Sequence, residues 1–208
     1  MLNFSGLTLS FSLYGVQEKY INGMHENLRL VPEVYPGASV VVYTDKPYDF
    51  TGAENIVVGP SKGVQGSFWR YYAYKHEGDG HVIFRDSDSL ITHREAGLVS
   101  DWICSDKILH TIHDNKEHIQ CSVSMMAGMT GFKNGSLPYD FNHLIRWWVR
   151  TKNPTQYRDE ERFISRFVWP YLRRFGLLHS SVVNSKFGGV KMEPAEDSTQ
   201  FIGSRVFK

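Results

Sequence analysis

The sequence VIFRDSDSLITHRE, residues 82–95, joins an apolar run of strand type to two acidic residues. Asp86 and Asp88 follow this run and are set among serines. Alternate residues of a strand share a face, so a bend at the strand end can aim both carboxylates at one point. Two like charges held that close repel each other unless a cation, a shared proton or a strong hydrogen-bond donor lies between them. The stretch therefore predicts either a cation site or a turn of Asp and Ser that caps the following helix.

Strand and helix patterns alternate on both sides of this stretch. Short β-branched or alternating runs predict strands, whereas apolar residues at helical spacing, such as Met24, Leu28 and Val31, predict helices. The predicted strands are residues 7–15, 38–45, 55–59, 81–88 and 109–115, with a glycine-punctuated strand and loop at 122–133. The predicted helices are residues 18–35, 67–76 and 95–106 and a helical region at 141–176, followed by a loop-like tail at 188–208. This order predicts an α/β fold with a mostly parallel sheet, in which ligands bind beyond the carboxyl ends of the strands.

Composition is typical of a soluble globular protein. The chain has 208 residues, of which 41% are hydrophobic and 22% are charged, and we expect a single domain over residues 1–208. No apolar run approaches the roughly 20 residues of a membrane span, and the first residues lack the pattern of a secretion signal. The spacing of Cys104 and Cys121 indicates no disulfide framework, so we expect reduced thiols and a cytoplasmic location.

The net charge of +1 hides an asymmetry along the chain. Residues 1–140 contain 11 Lys and Arg against 16 Asp and Glu, whereas residues 141–208 contain 12 against 6. An acidic half suits a cation site, and a basic half suits phosphate or nucleic acid.

Nine segments of the chain, taken in order, carry a resemblance to a known family. They read FSLYG, ENLRLVPEVYPGASVVVYTD, SFWRYYA, FRDSDSLITHRE, DWICSDKILHTIHDNKEH, MMAGMTGFK, DEERFISRFVWP, LLHSS and FIGSR. In this order they resemble bacterial and viral nucleotide-sugar glycosyltransferases of the GT-A type over nearly the whole chain. The resemblance implies a Rossmann-like GT-A fold, in which residues 1–120 bind the nucleotide sugar and residues 121–208 form the acceptor side.

The D-x-D element of that family implies a divalent cation, manganese or magnesium, that bridges the two phosphates of the donor. Hard carboxylate oxygens suit such a cation, and the metal neutralises charge on the departing diphosphate. Carried over, the resemblance implies that Asp86 and Asp88 are metal residues, with Asp88 the direct ligand. It also implies His179, in LLHSS, as a third ligand, although a lone histidine also fits a satisfied core or surface position.

The resemblance further implies six residues near the nucleotide sugar: Tyr14, Thr44, Asp45, Arg70, Asp86 and Gly128. Arg70 lies near the start of a predicted helix, where backbone N–H groups and a guanidinium can meet phosphate; a surface ion pair is the alternative. Tyr14, Thr44 and Asp45 follow predicted strands where the base and ribose are expected, and each also fits ordinary turn chemistry. Gly128 lets the backbone approach the sugar closely.

Three acidic residues are candidates for the chemistry at the sugar: Asp114, Asp159 and Glu160. The resemblance places Asp114 at a strand end, where its carboxylate accepts hydrogen bonds from sugar hydroxyls. It gives Asp159 or Glu160 the role of catalytic base in an inverting reaction, or of a stabilising group in a retaining one. The family usually has Gln at the second position, so Glu160 departs from its pattern. The alternative is an acidic cluster that only favours a helix N-terminus.

The segment IRWWVRTK, residues 145–152, interleaves tryptophans with basic residues. Aromatic faces stack on bases while cations meet phosphates, so the segment predicts a nucleic-acid surface. The alternative is a helix that packs one tryptophan into the core and exposes its basic face.

The leading hypothesis is a metal-dependent glycosyltransferase whose donor is a nucleotide-diphosphate sugar, with a UDP-sugar expected. Compact viral transferases of this kind can glycosylate 5-hydroxymethyl pyrimidines in DNA, a reaction for which the base is flipped out of the duplex. A cell-surface polysaccharide or a protein is the alternative acceptor. Two other classes stay open: a non-catalytic nucleic-acid-binding module, and a haloacid-dehalogenase-like phosphatase, which also uses D-x-D after a buried strand. The phosphatase pattern has Thr or Val two residues after the pair, whereas this chain has Leu90.

Overall fold

The structure is a computed structural model that describes residues 2–15, 17–120, 124–182 and 189–206. Its strands are β1 (Leu7–Leu13), β2 (Ser39–Thr44), β3 (Glu54–Val57), β4 (His81–Arg85), β5 (Leu109–His113), β6 (Met129–Lys133), β7 (Gly176–Ser180) and β8 (Val190–Lys191). Its α-helices are α1 (Glu18–Val34), α2 (His93–Ile103), α3 (Lys116–Gln120), α4 (Phe141–Lys152), α5 (Asp159–Phe167) and α6 (Trp169–Phe175). A 3₁₀ helix spans Gly63–Ala73. Cys121 lies outside the described residues, and Cys104 is an exposed free thiol.

The strands within the described residues form one eight-stranded sheet in the order β3-β2-β1-β4-β6-β5-β7-β8. β6 runs antiparallel to β4 and β5, and all other neighbours run parallel. β6 begins at the end of the sheet where β5 ends, so it runs back antiparallel to β5. The predicted α/β class, with a mostly parallel central sheet flanked by helices, is confirmed.

Side chains of β4 show how the sheet is covered on both faces. Ile83 packs with residues of α1 and α2, including Met24 and Trp102. Phe84 points the other way and packs with an aromatic cluster of the 3₁₀ helix, α4 and α5 that includes Phe163. Burial on both faces explains why β4 reads as a continuous apolar run in the sequence. The run ends at the carboxyl edge, where Asp86 begins the next loop.

The aromatic segment before β4 differs from its prediction. The sequence predicts an α-helix over residues 67–76, but a 3₁₀ helix begins at Gly63. The position before it, Lys62, makes no side-chain capping hydrogen bond. The Ser67 hydroxyl donates to the Val64 carbonyl oxygen within the helix at 2.8 Å, so it acts as an internal residue. Burial of the rings of Phe68, Trp69 and Tyr71 fixes this segment against the sheet.

The predicted helical region at 141–176 consists of α4, α5 and α6, and β7 begins at its last residue. On α4, Trp148 packs against Phe163 and Phe167, whereas Trp147 remains 38% exposed. One tryptophan therefore joins the core, as the structural alternative for this segment predicted. None of the helices in the described ranges has the length and apolarity that a membrane span requires.

Candidate functional site

A cavity of about 550 Å³ opens at the carboxyl ends of β1 and β4. Its walls are formed by the loops after these strands, the 3₁₀ helix, the start of α5 and the C-terminal segment, residues 189–206. The predicted site residues that line it are Tyr14, Asp45, Arg70, Asp86, Asp88 and Glu160. The predicted residues outside its lining are Thr44, Asp114, Gly128, Asp159 and His179. The position agrees with the rule that ligands bind beyond the carboxyl ends of the strands in such sheets.

The carboxylate of Asp86 is held by Arg70. The buried guanidinium of Arg70 donates to Asp86 Oδ1 at 2.5 Å, and its Nε donates to the Ser67 carbonyl oxygen at 3.1 Å. The side chain of Asp86 stays 46% exposed to the cavity. Loss of solvent opposes ionisation of Asp86, but the charge of Arg70 outweighs this effect and lowers the pKa of Asp86 below its usual range. Asp86 is therefore a fixed anion in the cavity wall.

Asp88 is more deeply placed and faces the C-terminal segment. Its side chain is 6% exposed, and Nε of Arg205 lies 3.4 Å from Asp88 Oδ2. Arg205 also donates to the hydroxyl of Tyr157 at 2.8 Å. Burial and the charge of Asp86 raise the pKa of Asp88, and Arg205 acts in the opposite direction. The like-charge repulsion expected from the sequence is thus present, and an arginine stands against each carboxylate.

The loop that carries Asp88 is held by one buried side chain of α1. The amide nitrogen of Asn27 donates to the carbonyl oxygens of Ser87 and Ser89, each at 3.2 Å. Its amide oxygen accepts from the backbone N–H of Ile91 at 3.0 Å. A Cβ on Gly23, one turn earlier, would lie 2.0 Å from the Ser87 carbonyl oxygen, so only glycine permits this approach. These contacts place the D-x-D loop against α1.

The loop does not cap the helix that follows it. The hydroxyl of Thr92 accepts the backbone N–H of Glu95 at 3.2 Å and is the N-cap of α2. Asp86 and Asp88 line the cavity instead. The alternative in which this acidic pair only caps the next helix is therefore wrong.

A buried arginine braces the same loop from below. Arg85 donates to the Gly128 carbonyl oxygen at 2.6 Å, and its Nε lies 3.3 Å from Glu95 Oε1. The same carboxylate oxygen accepts a hydrogen bond from the hydroxyl of Tyr35 at 3.0 Å. Gly128 therefore supports the loop rather than lining the cavity. A Cβ at Gly128 would lie 2.1 Å from Asp86 Oδ2, so the missing side chain makes room for that carboxylate.

Tyr14 and Asp45 form another part of the wall. Asp45 Oδ2 accepts the backbone N–H of Gly15 at 2.8 Å. Asp45 Oδ1 is buried and has no hydrogen-bond partner among the described residues. The ring of Tyr14 lies against Gly66, where a Cβ would come within 2.4 Å of it. Burial raises the pKa of Tyr14 to about 12, so its hydroxyl keeps its proton and can donate a hydrogen bond.

Two carboxyl groups at the start of α5 face the cavity. Burial raises the pKa of Glu160, and the charge of Arg70 partly offsets that rise. Burial and the neighbouring charge of Glu160 together raise the pKa of Glu161 to about 8, against a smaller opposing effect of Arg158. Glu161 Oε2 has no hydrogen-bond partner among the described residues, and Arg158 Nε lies 3.4 Å from it. A carboxyl group with a pKa of about 8, as in Glu161, can donate a proton near neutral pH.

Thr44 and Asp159 form hydrogen bonds within the protein. The hydroxyl of Thr44 donates to Asn55 Oδ1 on β3 at 2.8 Å. Asp159 Oδ2 accepts the backbone N–H groups of Thr155 and Gln156 at 3.0 and 2.9 Å. The structure therefore does not bring these two predicted residues into the cavity.

Asp114 anchors the C-terminal segment. Arg94 donates to both of its carboxylate oxygens, and the backbone N–H of Ile202 donates to Asp114 Oδ2 at 2.8 Å. The Asp114 side chain is fully buried in the ion pair with Arg94. Burial opposes its ionisation, but the hydrogen bonds from Arg94 and the segment lower the pKa of Asp114. Donors within the protein therefore use the Asp114 carboxylate, which was predicted to accept hydrogen bonds from sugar hydroxyls.

His179 lies on β7 beside another histidine. Its Nδ1 is 2.8 Å from Nε2 of His110, and the His110 ring stacks on Trp102 with centroids 5.3 Å apart. Burial lowers the pKa of both histidines, which therefore stay neutral. The structure does not bring His179 together with Asp86 and Asp88, and this arrangement does not support the third-ligand role.

The chemistry of the donor set decides whether a divalent cation fits. Among the described residues, no group of three or more His, Cys, Asp or Glu side chains is placed to hold a metal ion. Magnesium commonly binds through one or two carboxylates together with substrate phosphates and water. Asp86 and Asp88 supply two such carboxylates in one cavity. The residues therefore fit a cation that shares its coordination with a bound diphosphate.

Four residues of this site were missed by sequence reasoning: Asn27, Tyr157, Glu161 and Arg205. Asn27 is a polar residue next to the apolar stripe of a predicted helix, which is the one signal that points to it. Arg205 belongs to a motif of the family resemblance, but its partner lies far away in the chain. Glu161 follows the two acidic residues that were chosen, and only burial distinguishes it.

Two solved structures match this chain at low sequence identity. A crystal structure of an active-site mutant of LgtC has a TM-score of 0.49 and 14% identity, covering 77% of this chain and 70% of that one. A glycosyltransferase involved in the glycosylation of the major capsid of PBCV-1 has a TM-score of 0.49 and 13% identity, covering 84% of this chain and 81% of that one. The sequence matches no family model and no curated protein.

Proposed function

We propose that the cavity binds a nucleotide-diphosphate sugar with a divalent cation, and that the protein transfers the sugar to an acceptor hydroxyl. One observation carries the proposal: Asp86, Asp88 and Arg70 line the same cavity at the carboxyl end of a mostly parallel sheet. Two carboxylates and a guanidinium in one wall match a diphosphate that arrives with a cation. The GT-A assignment that the order of motifs implied supports the same proposal.

The nucleoside is proposed to lie against Tyr14 and Asp45. Asp45 Oδ1 is a buried acceptor without a partner among the described residues, and a ribose hydroxyl or a base N–H would satisfy it. The Tyr14 ring offers an aromatic edge, and Gly15 leaves the adjacent backbone open. A UDP-sugar is the expected donor class.

The diphosphate is proposed to lie against the part of the cavity wall that Arg70, Asp86 and Asp88 form together. The guanidinium of Arg70 is buried, keeps its charge and is oriented by Ser67, so it meets phosphate without reorganising. Asp86 and Asp88 would hold the cation. When bound, that cation supplies neutralisation of the charge that develops on the leaving diphosphate.

The sugar is proposed to face Glu160 and Glu161. A carboxyl with a raised pKa can donate a hydrogen bond to a sugar oxygen or accept a proton from the attacking hydroxyl. Glu160 keeps the catalytic role proposed from the sequence, and Glu161 extends it to a second carboxyl. The hydrogen bonds that Asp159 and Asp114 form within the protein argue against a direct role for these two side chains.

DNA that contains 5-hydroxymethyl pyrimidines is the proposed acceptor. Trp147 is 38% exposed on α4, and Arg150 and Lys152 are exposed on the same helix. Helix α4 also packs on the 3₁₀ helix that forms one wall of the cavity. Basic and aromatic groups are therefore exposed on a helix that contacts one wall of the cavity, and they would meet the phosphates and bases of a nucleic acid. A polysaccharide or protein acceptor remains the competing outcome.

The test is a screen of donor hydrolysis with manganese over UDP-, GDP- and CMP-linked sugars, followed by transfer to hydroxymethylated DNA, unmodified DNA and a glycan. We expect one UDP-sugar to be hydrolysed, and Asp88→Ala and Arg70→Gln to lose that activity. Arg29→Gln, an exposed change on α1, is the matched control and should behave as the wild type. Full, chelator-resistant transfer by Asp88→Ala would show that the metal role is wrong. Salt-sensitive DNA binding without binding of any nucleotide sugar would favour a non-catalytic module.

A further inference from the structure

The C-terminal segment, residues 189–206, is fixed across the carboxyl edge of the sheet. Its backbone is tied at Ile202, whose N–H donates to Asp114 Oδ2, and at Glu193, whose carbonyl oxygen accepts from Arg94. The N–H of Val206 donates to the carbonyl oxygen of Asp88 itself at 3.2 Å. The last described residue of the segment therefore contacts Asp88, the proposed cation ligand.

Packing holds the segment as well as hydrogen bonds. Ile202 is 2% exposed and packs in a cluster with Ile112 and Met129. At Gly203, where φ is +91°, a Cβ would lie 2.6 Å from the sulfur of Met129. The chain therefore passes so close to β6 at this point that a side chain has no space. The three residues after Gly203 carry Arg205 to Asp88.

Arg205 stands where a cation would be attracted. Its Nε lies 3.4 Å from Asp88 Oδ2, whose side chain has lost nearly all contact with solvent. A divalent cation would bind a carboxylate oxygen at about 2.0–2.6 Å and would repel a guanidinium at this distance. The head of Arg205 is 56% exposed and is held otherwise by the Tyr157 hydroxyl, so it can leave Asp88 while Ile202 stays anchored.

We propose that Arg205 is a built-in competitor of the divalent cation at Asp88, so that cation binding displaces the end of the C-terminal segment from the D-x-D loop. The proposal rests on the cation site of the proposed function. The anchor of Ile202 on Asp114 and the packing of Gly203 on Met129 set the length of chain that moves, namely the residues after Gly203. In the absence of a cation the segment keeps the carboxylate of Asp88 neutralised and covered.

The test is the affinity of the protein for manganese alone, measured from the electron paramagnetic resonance signal of free Mn²⁺. Arg205→Gln is expected to bind Mn²⁺ more tightly than the wild type, on the order of tenfold, because one facing positive charge is removed. Arg205→Lys, which keeps the charge, should bind as weakly as the wild type. Lys191→Gln is the matched control, since it removes an exposed charge from the same segment.

Equal Mn²⁺ affinity of the wild type and Arg205→Gln, or weaker binding by the variant, would overturn the competition and leave the proposed function standing. Absence of Mn²⁺ binding in every variant, with UDP present as well as without it, would contradict the cation site itself. A second measurement covers a variant that fails to fold: hydrogen exchange of wild-type residues 201–206. Saturating Mn²⁺ should speed exchange of the Val206 N–H, and unchanged exchange with Mn²⁺ bound would also overturn the proposal.

Discussion

Replacement of Asn27 by alanine tests how the D-x-D loop is held. The side chain is fully buried and bridges α1 to three backbone groups of the loop, at Ser87, Ser89 and Ile91. A net contribution of about 1 kcal/mol for each of the three hydrogen bonds gives a loss of about 3 kcal/mol in the free energy of unfolding. Part of this loss is the cost of leaving a buried N–H without a partner.

Urea denaturation of Asn27→Ala, followed by tryptophan fluorescence and far-UV circular dichroism, measures this loss. The matched control is Arg29→Ala on the same helix, which removes an exposed ion pair with Glu26 and should leave the free energy of unfolding nearly unchanged. Asn27→Asp should be at least as destabilising as the alanine change, because a carboxylate cannot donate to the two carbonyl oxygens. A loss below about 1 kcal/mol in Asn27→Ala would show that the D-x-D loop is held by contacts other than those of Asn27.

Two further substitutions test the space beside Asp86 and the burial of Glu161. Gly128→Ala places a Cβ 2.1 Å from Asp86 Oδ2, so we expect an overpacking cost of about 1–3 kcal/mol and weaker UDP binding by calorimetry. The control Gly97→Ala has open space around it and should stabilise α2 by about 0.5–1 kcal/mol. Equal effects of the two changes would contradict this expectation. Burial raises the pKa of Glu161 from 4.5 to about 8, so the folded chain holds a proton that the unfolded chain releases. The free energy of unfolding should therefore fall by on the order of a few kcal/mol as pH rises from about 4.5, and level off above about 8. Glu161→Gln should remove this pH dependence, whereas the exposed change Glu77→Gln should keep it. The same pH profile in both variants would show that the pKa of Glu161 is not raised in the folded protein.

The fold could be predicted largely from local patterns. β-branched runs mark the buried parallel strands, and the order of strand and helix signals fixes the α/β class. The direction of β6 could not be read in this way, because its sequence pattern is the same for either orientation. The 3₁₀ geometry of Gly63–Ala73 is set by packing of its rings on the sheet, which local propensity does not report.

Most of the predicted residues that line the cavity lie directly after a strand. Asp86 and Asp88 lie in the cavity because they directly follow β4, and Arg70 reaches Asp86 from the 3₁₀ helix. Asp114 also follows its strand, but its side chain turns to Arg94. Position after a strand fixes the edge of the sheet and leaves the direction of the side chain to partners that are distant in the sequence. The pairing of Arg205 with Asp88, 117 positions apart in the sequence, is of the same kind.

The central claim is that the carboxylate pair and Arg70 face a diphosphate with its cation. Its most direct measurement is calorimetric titration of UDP and UMP into the wild type and into the double variant Asp86→Asn/Asp88→Asn, each with and without Mn²⁺. We expect the wild type with Mn²⁺ to bind UDP more tightly than UMP, on the order of tenfold or more, and the double variant to lose this difference. Equal affinity for UDP and UMP in the wild type with Mn²⁺, or a manganese effect that survives in the double variant, would contradict it.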